Sequence, residues 1–251
     1  MPIVHENNQV ELVLDDYNRL YLGESIDGLD LAFAPWDIGD VQQCVKALHE
    51  GGHVTGPVLD AGCGSGQNSV FLAQQGYQVT SFDFSPVAIE AAAALARKHD
   101  LPDDNPRFVV ADATALDLPG RFATVIDSAL YHCLTLEERR AYLAGLRRLA
   151  LPTGRLLITC FADTAPAGMP GPFRISQEEL HRELPRAGWA ISHIEPGTYE
   201  TRYVPQKVQQ LAEQAGGPDL DVAGVPLTDR GNVLLPAWRV TAHVDADFVQ
   251  Q

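Results

Sequence analysis

A glycine-rich segment contains the residues with the clearest chemical meaning in this 251-residue chain. Asp60 ends a short apolar stretch, and Gly62, Gly64 and Gly66 follow it at alternating positions. Glycines spaced in this way let the backbone turn tightly and let a ligand approach where a Cβ atom would clash. A dinucleotide-binding fingerprint, G-x-G-x-x-G, would need its third glycine where the chain has Gln67. The segment therefore predicts a ligand-binding turn, and the charge of Asp60 favours a cationic or hydroxyl-bearing ligand.

Three further aspartates, Asp83, Asp112 and Asp127, each follow a short apolar segment with the pattern of a β-strand. Stretches with helical spacing lie between these segments, such as the helix that Ser85 and Pro86 begin as N-cap and first-turn proline. Strands and helices that alternate imply a parallel sheet with helices on both faces and right-handed crossovers. Open sheets of this kind bind ligands at the carboxyl ends of their strands, so we expect the aspartates at one edge.

The predicted elements define one domain, 1–251, with two additions. Strands are predicted at 57–59, 78–82, 107–110, 122–126, 154–161, 190–194 and 237–244, and helices at 9–22, 39–50, 68–75, 87–99 and 206–214. Thr135 and Ser176 each begin a capping box that opens a further helix. Residues 1–50 are predicted to form a helical cap over the site. The segment 196–235 interrupts the alternation, which predicts an insertion that serves as a lid or an interface.

The composition narrows the range of partners. The chain has 18 Lys and Arg residues against 33 Asp and Glu, which gives a formal net charge of -15 at pH 7. Nucleic acids and anionic membranes both attract Lys and Arg, so we expect neither as a partner. No apolar stretch is long enough to span a bilayer, no secretory pattern is visible, and the four cysteines lack disulfide or zinc spacing. We expect a reduced, cytoplasmic monomer or homodimer that acts on a small molecule.

The glycine segment and the acidic strand ends together resemble a known family. Asp60-Ala61-Gly62-Cys63-Gly64-Ser65-Gly66 is similar to the first motif of class I S-adenosylmethionine (SAM)-dependent methyltransferases, and Asp83 follows Gly66 by seventeen residues. The resemblance implies a Rossmann-like, doubly wound α/β fold with a mostly parallel seven-stranded sheet whose last strand is antiparallel. It also implies that Asp83 binds the ribose hydroxyls, that Asp112 lies at the adenine amino group, and that Asp127 lies beside the methyl donor.

The resemblance gives the following set of residues for SAM. They are Asp60, Gly62, Gly64, Gly66, Asn68, Asp83, Phe84, Asp112, Ala113 and Asp127. Asp127 has a second interpretation as a metal ligand, as in Mg²⁺-dependent relatives. A metal needs several convergent carboxylates, and no Asp-Asn pair accompanies the fifth strand, so we expect no metal.

Small-molecule enzymes of the thiopurine- and quinone-methyltransferase groups are the most similar members. The segment Ala34–Gly39 resembles their pre-sheet segment, in which an aromatic residue, here Trp36, packs where cofactor and acceptor meet. Tyr131, His132, Phe161 and Phe173 are expected to border the acceptor. For a hydroxyl acceptor, His132 is the best-placed base, with Tyr131 as its orienting neighbour. His132 has an equally weighted alternative, the satisfaction of a backbone carbonyl.

Methyl transfer from SAM to an O, S or N atom of a small aromatic or heterocyclic molecule is the predicted function. An NAD(P)-dependent oxidoreductase is the first alternative. The glycine spacing and the lack of a Tyr-x-x-x-Lys pair disfavour it, since Thr135 and Leu146 stand where Lys would be needed. The second alternative is a non-catalytic protein that binds SAM for regulation, since a fold alone does not establish an activity.

Overall fold

The computed structural model describes residues 3–4, 10–26, 30–31, 33–166, 171–214 and 224–248. Its helices are α1 Leu14–Tyr21, α2 Gln43–Glu50, α3 Gln67–Gln74, α4 Pro86–Lys98, α5 Leu136–Leu149, α6 Gln177–Arg186 and α7 Pro205–Gln214. Its strands are β1 Ile3–Val4, β2 Val10–Glu11, β3 Val58–Ala61, β4 Val79–Asp83, β5 Arg107–Val110, β6 Phe122–Ser128, β7 Ala150–Phe161, β8 Trp189–Glu200 and β9 Leu234–Val244. Two 3-10 turns, Ala113–Ala115 and Tyr131–Cys133, follow β5 and β6.

Seven of the strands form one sheet in the order β5-β4-β3-β6-β7-β9-β8. Neighbours from β5 to β7 are parallel, whereas β9 runs antiparallel to both β7 and β8. The direction of strand order reverses at β3, which has β4 on one side and β6 on the other. The carboxyl ends of β3 and β6 therefore flank a crevice. The predicted seven-stranded, mostly parallel sheet with an antiparallel last strand is confirmed.

Both faces of the sheet are buried, which places helices on each side. Successive side chains of β7 alternate between the faces: Leu156 packs with α5 residues such as Leu143, whereas Leu157 packs with α2 and α3 residues such as Val45 and Leu72. This period of two is the geometry of a pleated strand. A separate small cluster joins α1 to α7, so the N-terminal segment and the late insertion share apolar contacts.

Helices α4 and α5 begin where the sequence predicts, but α1 and α2 begin five and four residues later than predicted, and β2 occupies the start of the predicted first helix. The Ser85 hydroxyl accepts the Ala88 N–H, and Thr135 forms the complete capping box with Glu138. At the second predicted box, Ser176 Oγ accepts the Glu179 N–H, but the Glu179 carboxylate pairs with an arginine of α5 instead of returning to the cap. This box is therefore only half formed, because a cation competes for its carboxylate.

The segment between β8 and β9 is shorter than predicted. Pro196 pairs with Trp238, and the register continues without a break to Glu200 opposite Leu234. The predicted insertion 196–235 is thus reduced to 201–233, of which 215–223 lie outside the described residues. Pro196 lacks an N–H and suggests an interruption, but β8 is the edge strand, where a missing ladder hydrogen bond is tolerated.

Two glycines allow backbone strain to be separated from crowding. Gly66 and Gly76 both have positive φ angles, +85° and +88°. A Cβ atom at Gly66 would lie 2.7 Å from the Ala92 Cβ of α4, whereas at Gly76 nothing lies within 4 Å. We expect Gly76→Ala to lower the free energy of unfolding by about 1–2 kcal/mol, the cost of left-handed backbone for an L-residue.

For Gly66→Ala we expect a loss larger by about 1–3 kcal/mol, because overpacking adds to the same strain. Equilibrium urea unfolding of the two variants measures the difference. Equal losses would show that α4 yields without cost and that the turn is not pressed against it.

Candidate active site at the carboxyl edge of the sheet

The glycine turn is held from the side by a buried carboxylate at the end of β4. Asp83 Oδ2 accepts the N–H of Gly64 at 2.9 Å, and Oδ1 accepts the N–H of Ser85 at 2.9 Å. Burial raises the pKa of Asp83 above its usual value. Each oxygen accepts one N–H, and a carboxylate oxygen has room for a second donor. Asp83 therefore supports the turn while keeping acceptor positions for a ligand.

Asp83 lines a cavity of about 260 Å³, here named the carboxylate cavity. Its walls come from the ends of β3 to β6 and from α1, and they include Tyr17, Tyr21, Trp36, Gly62, Asp83, Phe84, Asp112, Ala113 and Leu130. Asp112 lies in the turn after β5, where its Oδ1 accepts the N–H and the hydroxyl of Thr114. The structure thus brings together the acids that follow β4 and β5, as the strand order requires.

Asp60 and Asp127 lie behind the glycine turn and border none of the cavities named in this section. Asp60 accepts the hydroxyl of Ser69. Asp127 accepts the N–H of Leu130 through Oδ1 and the Tyr142 hydroxyl, at 2.8 Å, through Oδ2. Burial raises the pKa of both carboxyls to about 6. In this geometry Asp60 holds the first turn of α3 and Asp127 holds the turn after β6, and the expectation of direct ligand contact from either gains no support.

A second recess lies on the other side of the turn and is here named the glycine-turn pocket. It is lined by Trp36, Asp37, Gly62, Gly64, Ser65, Asn68 and Ser128, among others. Ser65 Oγ donates to Asp37 Oδ2 at 2.7 Å, and Asn68 Oδ1 accepts the N–H of Gln42. Sequence reasoning found Asn68 but missed Asp37 and Ser65. A serine inside the glycine motif, where no large side chain fits, was the available signal.

Helix α1 lies across the turn and adds aromatic residues that the sequence did not identify. Tyr17 and Tyr21, four residues apart, share one face of the helix. A Cβ atom on Gly64 would lie 2.8 Å from the Tyr21 hydroxyl, and that hydroxyl accepts the indole N–H of Trp36 at 2.9 Å. Tyr17 packs edge-on against Phe84 with ring centroids 5.0 Å apart. The periodicity of α1 shows only an amphipathic helix, so the partner of its aromatic face could not be read from it.

Next to the carboxylate cavity lies a further cavity, here named the apolar cavity. Its walls include Leu12, Tyr17, Leu31, Pro35, Trp36, Ala129, His132, Cys133, Phe161, Tyr199, Thr201, Tyr203, Leu211 and Leu235. Five of these residues, Leu12, Tyr17, Trp36, Ala129 and Cys133, also line the carboxylate cavity. Trp36 borders all three recesses. Trp36, which is predicted to lie where cofactor and acceptor meet, therefore lies where the three cavities meet.

His132 forms part of the wall of the apolar cavity and stacks on Phe161, with ring centroids 4.1 Å apart and planes 9° apart. Its Nδ1 accepts the backbone N–H of Phe161 at 3.0 Å. A backbone N–H is only a donor, so the neutral ring must carry its proton on Nε2. Burial, with the Arg139 charge as a second cause, lowers the pKa of His132 to about 3. The expected role as a base is disfavoured, because the ring lone pair on Nδ1 already accepts an N–H; the bond that the ring forms is to a backbone N–H and not to the expected backbone carbonyl.

Tyr131 and Phe173 are not brought to the three cavities. Tyr131 is fully buried in the main core, and its hydroxyl has no hydrogen-bond partner. The Phe173 ring is half-buried and lies 5.0 Å from the Arg139 guanidinium carbon, and the Phe173 N–H donates to the His132 carbonyl. Neither Tyr131 nor Phe173 is therefore among the described walls of the cavities.

Comparison with known proteins identifies the family. A family model for a methyltransferase domain matches residues 58–154. The 2-heptyl-1-hydroxyquinolin-4(1H)-one methyltransferase of Mycobacteroides abscessus is 36% identical over 188 residues, which cover 74% of this chain and 81% of that protein. The chain belongs to the SAM-dependent methyltransferases. It is an enzyme that uses SAM as its methyl donor.

Other relatives agree with this assignment. The ubiquinone biosynthesis O-methyltransferase of Pseudomonas aeruginosa (strain LESB58) is 27% identical and covers 77% of this methyltransferase and 76% of its own length. The structure reported for the conversion of a disulfide bond into a thioacetal group during echinomycin biosynthesis is 29% identical, with a TM-score of 0.72 and 94% coverage of both chains. The similarity therefore extends beyond the glycine motif to most of the chain.

The described residues contain neither a cluster of metal-ligating side chains nor a long apolar helix. Among those residues, no three His, Cys, Asp or Glu side chains come together in a group that could hold a metal ion. In the same part of the chain, no helix combines the length and the apolar character needed to cross a bilayer.

The two acids Asp83 and Asp60 differ in a way that binding can test. We expect Asp83→Asn to weaken the affinity for S-adenosylhomocysteine by about tenfold to a hundredfold, the worth of a hydrogen bond to a charged group. Asp60→Asn, which leaves the walls of the cavities unchanged, should shift the affinity by less than about threefold. Isothermal titration calorimetry gives both values. A larger loss of affinity from Asp60→Asn than from Asp83→Asn would show that Asp60, and not Asp83, contacts the donor.

Proposed function

We propose that this methyltransferase transfers the methyl group to an O, S or N atom of a small planar heteroaromatic acceptor that lies in the apolar cavity. The observation that carries the proposal is the pair of adjoining cavities, one with carboxylates and one with aromatic and aliphatic walls, which share five residues. Such an apolar pocket with few polar groups suits a flat, weakly polar ligand. The similarity to an enzyme that acts on a hydroxyquinolone supports the same class of acceptor.

We assign the carboxylate cavity to the nucleoside part of SAM. Asp83 offers two acceptor oxygens to the ribose hydroxyls, a match of carboxylate to vicinal diol that is also used in dinucleotide sites. Asp112 and Ala113 in the turn after β5 would take the adenine, and the exposed ring of Phe84 would lie against it. The glycine-turn pocket, with Asp37, Ser65 and Asn68, would hold the amino-acid end. These groups fit the donor without displacing any hydrogen bond of Asp83.

The chain's own residues position the acceptor and exclude water. When bound, SAM supplies a methyl group on a positively charged sulfur, which is already activated for displacement. The residues shared by the two cavities, with Trp36 and Tyr17 among them, separate donor and acceptor and set their line of approach. Leu211 of α7 and Tyr203 close the apolar cavity on the side of the insertion. We propose that the 1–50 segment and α7 together act as its cap and lid.

We further propose a cytoplasmic enzyme, active as a monomer or homodimer. Four free cysteines support a reducing location. A screen of hydroxyquinolones, phenols, thiols and azaheterocycles, with S-adenosylhomocysteine as the measured product, tests the acceptor class. Turnover confined to non-aromatic acceptors would overturn the proposal. Binding of a nicotinamide cofactor in place of SAM would favour the oxidoreductase alternative.

The role of α7 can be tested with two residues of the same helix. Leu211 is buried and lines the apolar cavity, whereas Gln209 is exposed and bonds to Glu213. We expect Leu211→Ala to raise the KM for the acceptor by about tenfold. The substitution removes roughly three carbon groups from the cavity wall, and burial of each one contributes at most about 0.8 kcal/mol. The affinity for S-adenosylhomocysteine should stay within about twofold, because Leu211 does not border the carboxylate cavity.

Gln209→Ala is the matched control and should leave both quantities unchanged. Steady-state kinetics and calorimetry on the two variants measure them. If Leu211→Ala altered donor affinity as much as acceptor KM, α7 would be acting on the whole fold and not on the acceptor.

A further inference from the structure

The apolar cavity has an unusual set of ionisable groups, and their protonation bears on what the enzyme can accept. Among the described residues that line it there is no Asp, Glu or Lys. The ionisable side chains in its walls are three tyrosines, one cysteine and His132. They come from α1, the 3-10 turn after β6, the end of β8 and the segment that follows β8, so each side of the cavity is represented.

The tyrosines and the cysteine stay protonated at neutral pH. Burial raises the pKa of Tyr17, Tyr199 and Tyr203 well above the usual phenol value. The thiol of Cys133 donates to the Ala129 carbonyl, and burial raises its pKa to about 12. Each of these groups therefore offers an O–H or S–H and no anion that could remove a proton from an acceptor.

His132 has no ring nitrogen with a lone pair free to take a proton. The Phe161 N–H occupies Nδ1, so Nε2 already bears the hydrogen. Stacking on Phe161 holds the plane of the ring, and a 180° rotation within that plane would place Cδ2 against the Phe161 N–H and lose the hydrogen bond to Nδ1. A second proton would produce a buried imidazolium next to Arg139, whose charge opposes it.

The charge behind His132 is positive. Arg139 of α5 donates from Nε to the Tyr131 carbonyl and pairs through Nη1 with Glu179 of α6 at 2.9 Å. Its Nη2 is buried without a hydrogen-bond partner. The carboxylate of Glu179 offsets part of this charge, but the charge that acts on the pKa of His132 is that of the Arg139 cation, and a cation there favours negative charge in the cavity.

We infer that the acceptor enters the apolar cavity with its nucleophilic atom already unprotonated, and that His132 serves it as an Nε2–H hydrogen-bond donor and not as a base. This inference rests on the proposed function. It selects heteroaromatic acceptors with acidic hydroxyl or thiol groups over equally shaped acceptors with weakly acidic ones. The acceptor's lone pair forms the new bond to the methyl carbon, the carbon–sulfur pair goes to sulfur, and no proton has to leave. The acceptor's negative charge and the sulfonium's positive charge cancel in the products.

The test uses the wild-type enzyme and two hydroxyquinolones that differ in one ring substituent remote from the hydroxyl. The two hydroxyl groups should ionise above about pH 7 and about two pKa units apart, which is a hundredfold in ionisation. This choice keeps both away from Asp60 and Asp127, whose pKa values are about 6. With saturating SAM, we expect the rising limb of kcat/KM to follow each acceptor's own pKa and to move with it.

Two variants of His132 distinguish a hydrogen-bond donor from a base. His132→Phe should lower kcat/KM by about tenfold to a hundredfold and His132→Gln, which retains an N–H donor, by less. In both variants the limb should stay at the pKa of the acceptor. A limb at one fixed pH for both acceptors, lost in His132→Gln, would overturn the inference and leave the acceptor class intact.

Binding provides a readout that does not depend on turnover or on the variants. The absorbance of each hydroxyquinolone is measured with wild-type enzyme and S-adenosylhomocysteine at a pH one unit below its free pKa. We expect the spectrum of the anion when the acceptor is bound. The spectrum of the neutral hydroxyl would overturn the inference. A failure of every aromatic acceptor both to bind and to react would overturn the proposed function itself, and the inference with it.

Discussion

The site depends on one buried carboxylate, that of Asp83. It is the acceptor for the glycine turn through Gly64 and for the start of α4 through Ser85. Ser85 in turn donates to Asn18 of α1 at 2.6 Å, so the N-terminal helix is tied to the same point. A turn of this kind exposes several N–H groups that a strand would have paired, and a charged acceptor satisfies them better than a neutral one. Because one side chain joins the turn, α4 and α1, their relative positions are set together.

Asp60 and Asp127, at the same edge of the sheet, are engaged by hydrogen bonds within the protein itself. Asp127 fixes the turn that carries Leu130 and, through it, the wall of the carboxylate cavity. The folded-state pKa of about 6 for Asp60 and Asp127 is higher than the ordinary value of 3.8. Their contribution to stability is therefore fully present below about pH 4 and is lost as the pH rises through about 6. At neutral pH that contribution is absent, and the two carboxylates act through their hydrogen bonds to α3 and to the turn after β6.

Much of this arrangement was predictable from sequence, and the reasons for the failures are physical. Alternating apolar segments were sufficient for the parallel sheet and for the positions of Asp83 and Asp112 at one edge, because the carboxyl ends of parallel strands must meet; the antiparallel last strand followed only from the resemblance to the family. Pro196 was misleading because edge and central strands look the same in sequence. His132 was misleading because its tautomer is set by the backbone N–H of Phe161, a residue 29 positions away. Tyr21 was missed because only tertiary packing places its hydroxyl over Gly64.

The two halves of the site come from different parts of the chain, and this division explains how one fold accommodates many acceptors. The carboxylate cavity is built mainly on strand ends, whose positions are locked by the ladders of the central sheet. The apolar cavity takes most of its walls from segments outside those strands, including Pro35–Trp36, Tyr203 and α7. Substitutions there leave the sheet register untouched, since they are distant from its hydrogen bonds. The names of the relatives, one for a hydroxyquinolone and one for ubiquinone biosynthesis, are consistent with this division. The same separation allows a cavity with no Asp, Glu or Lys among its described walls to lie within a chain of net charge -15.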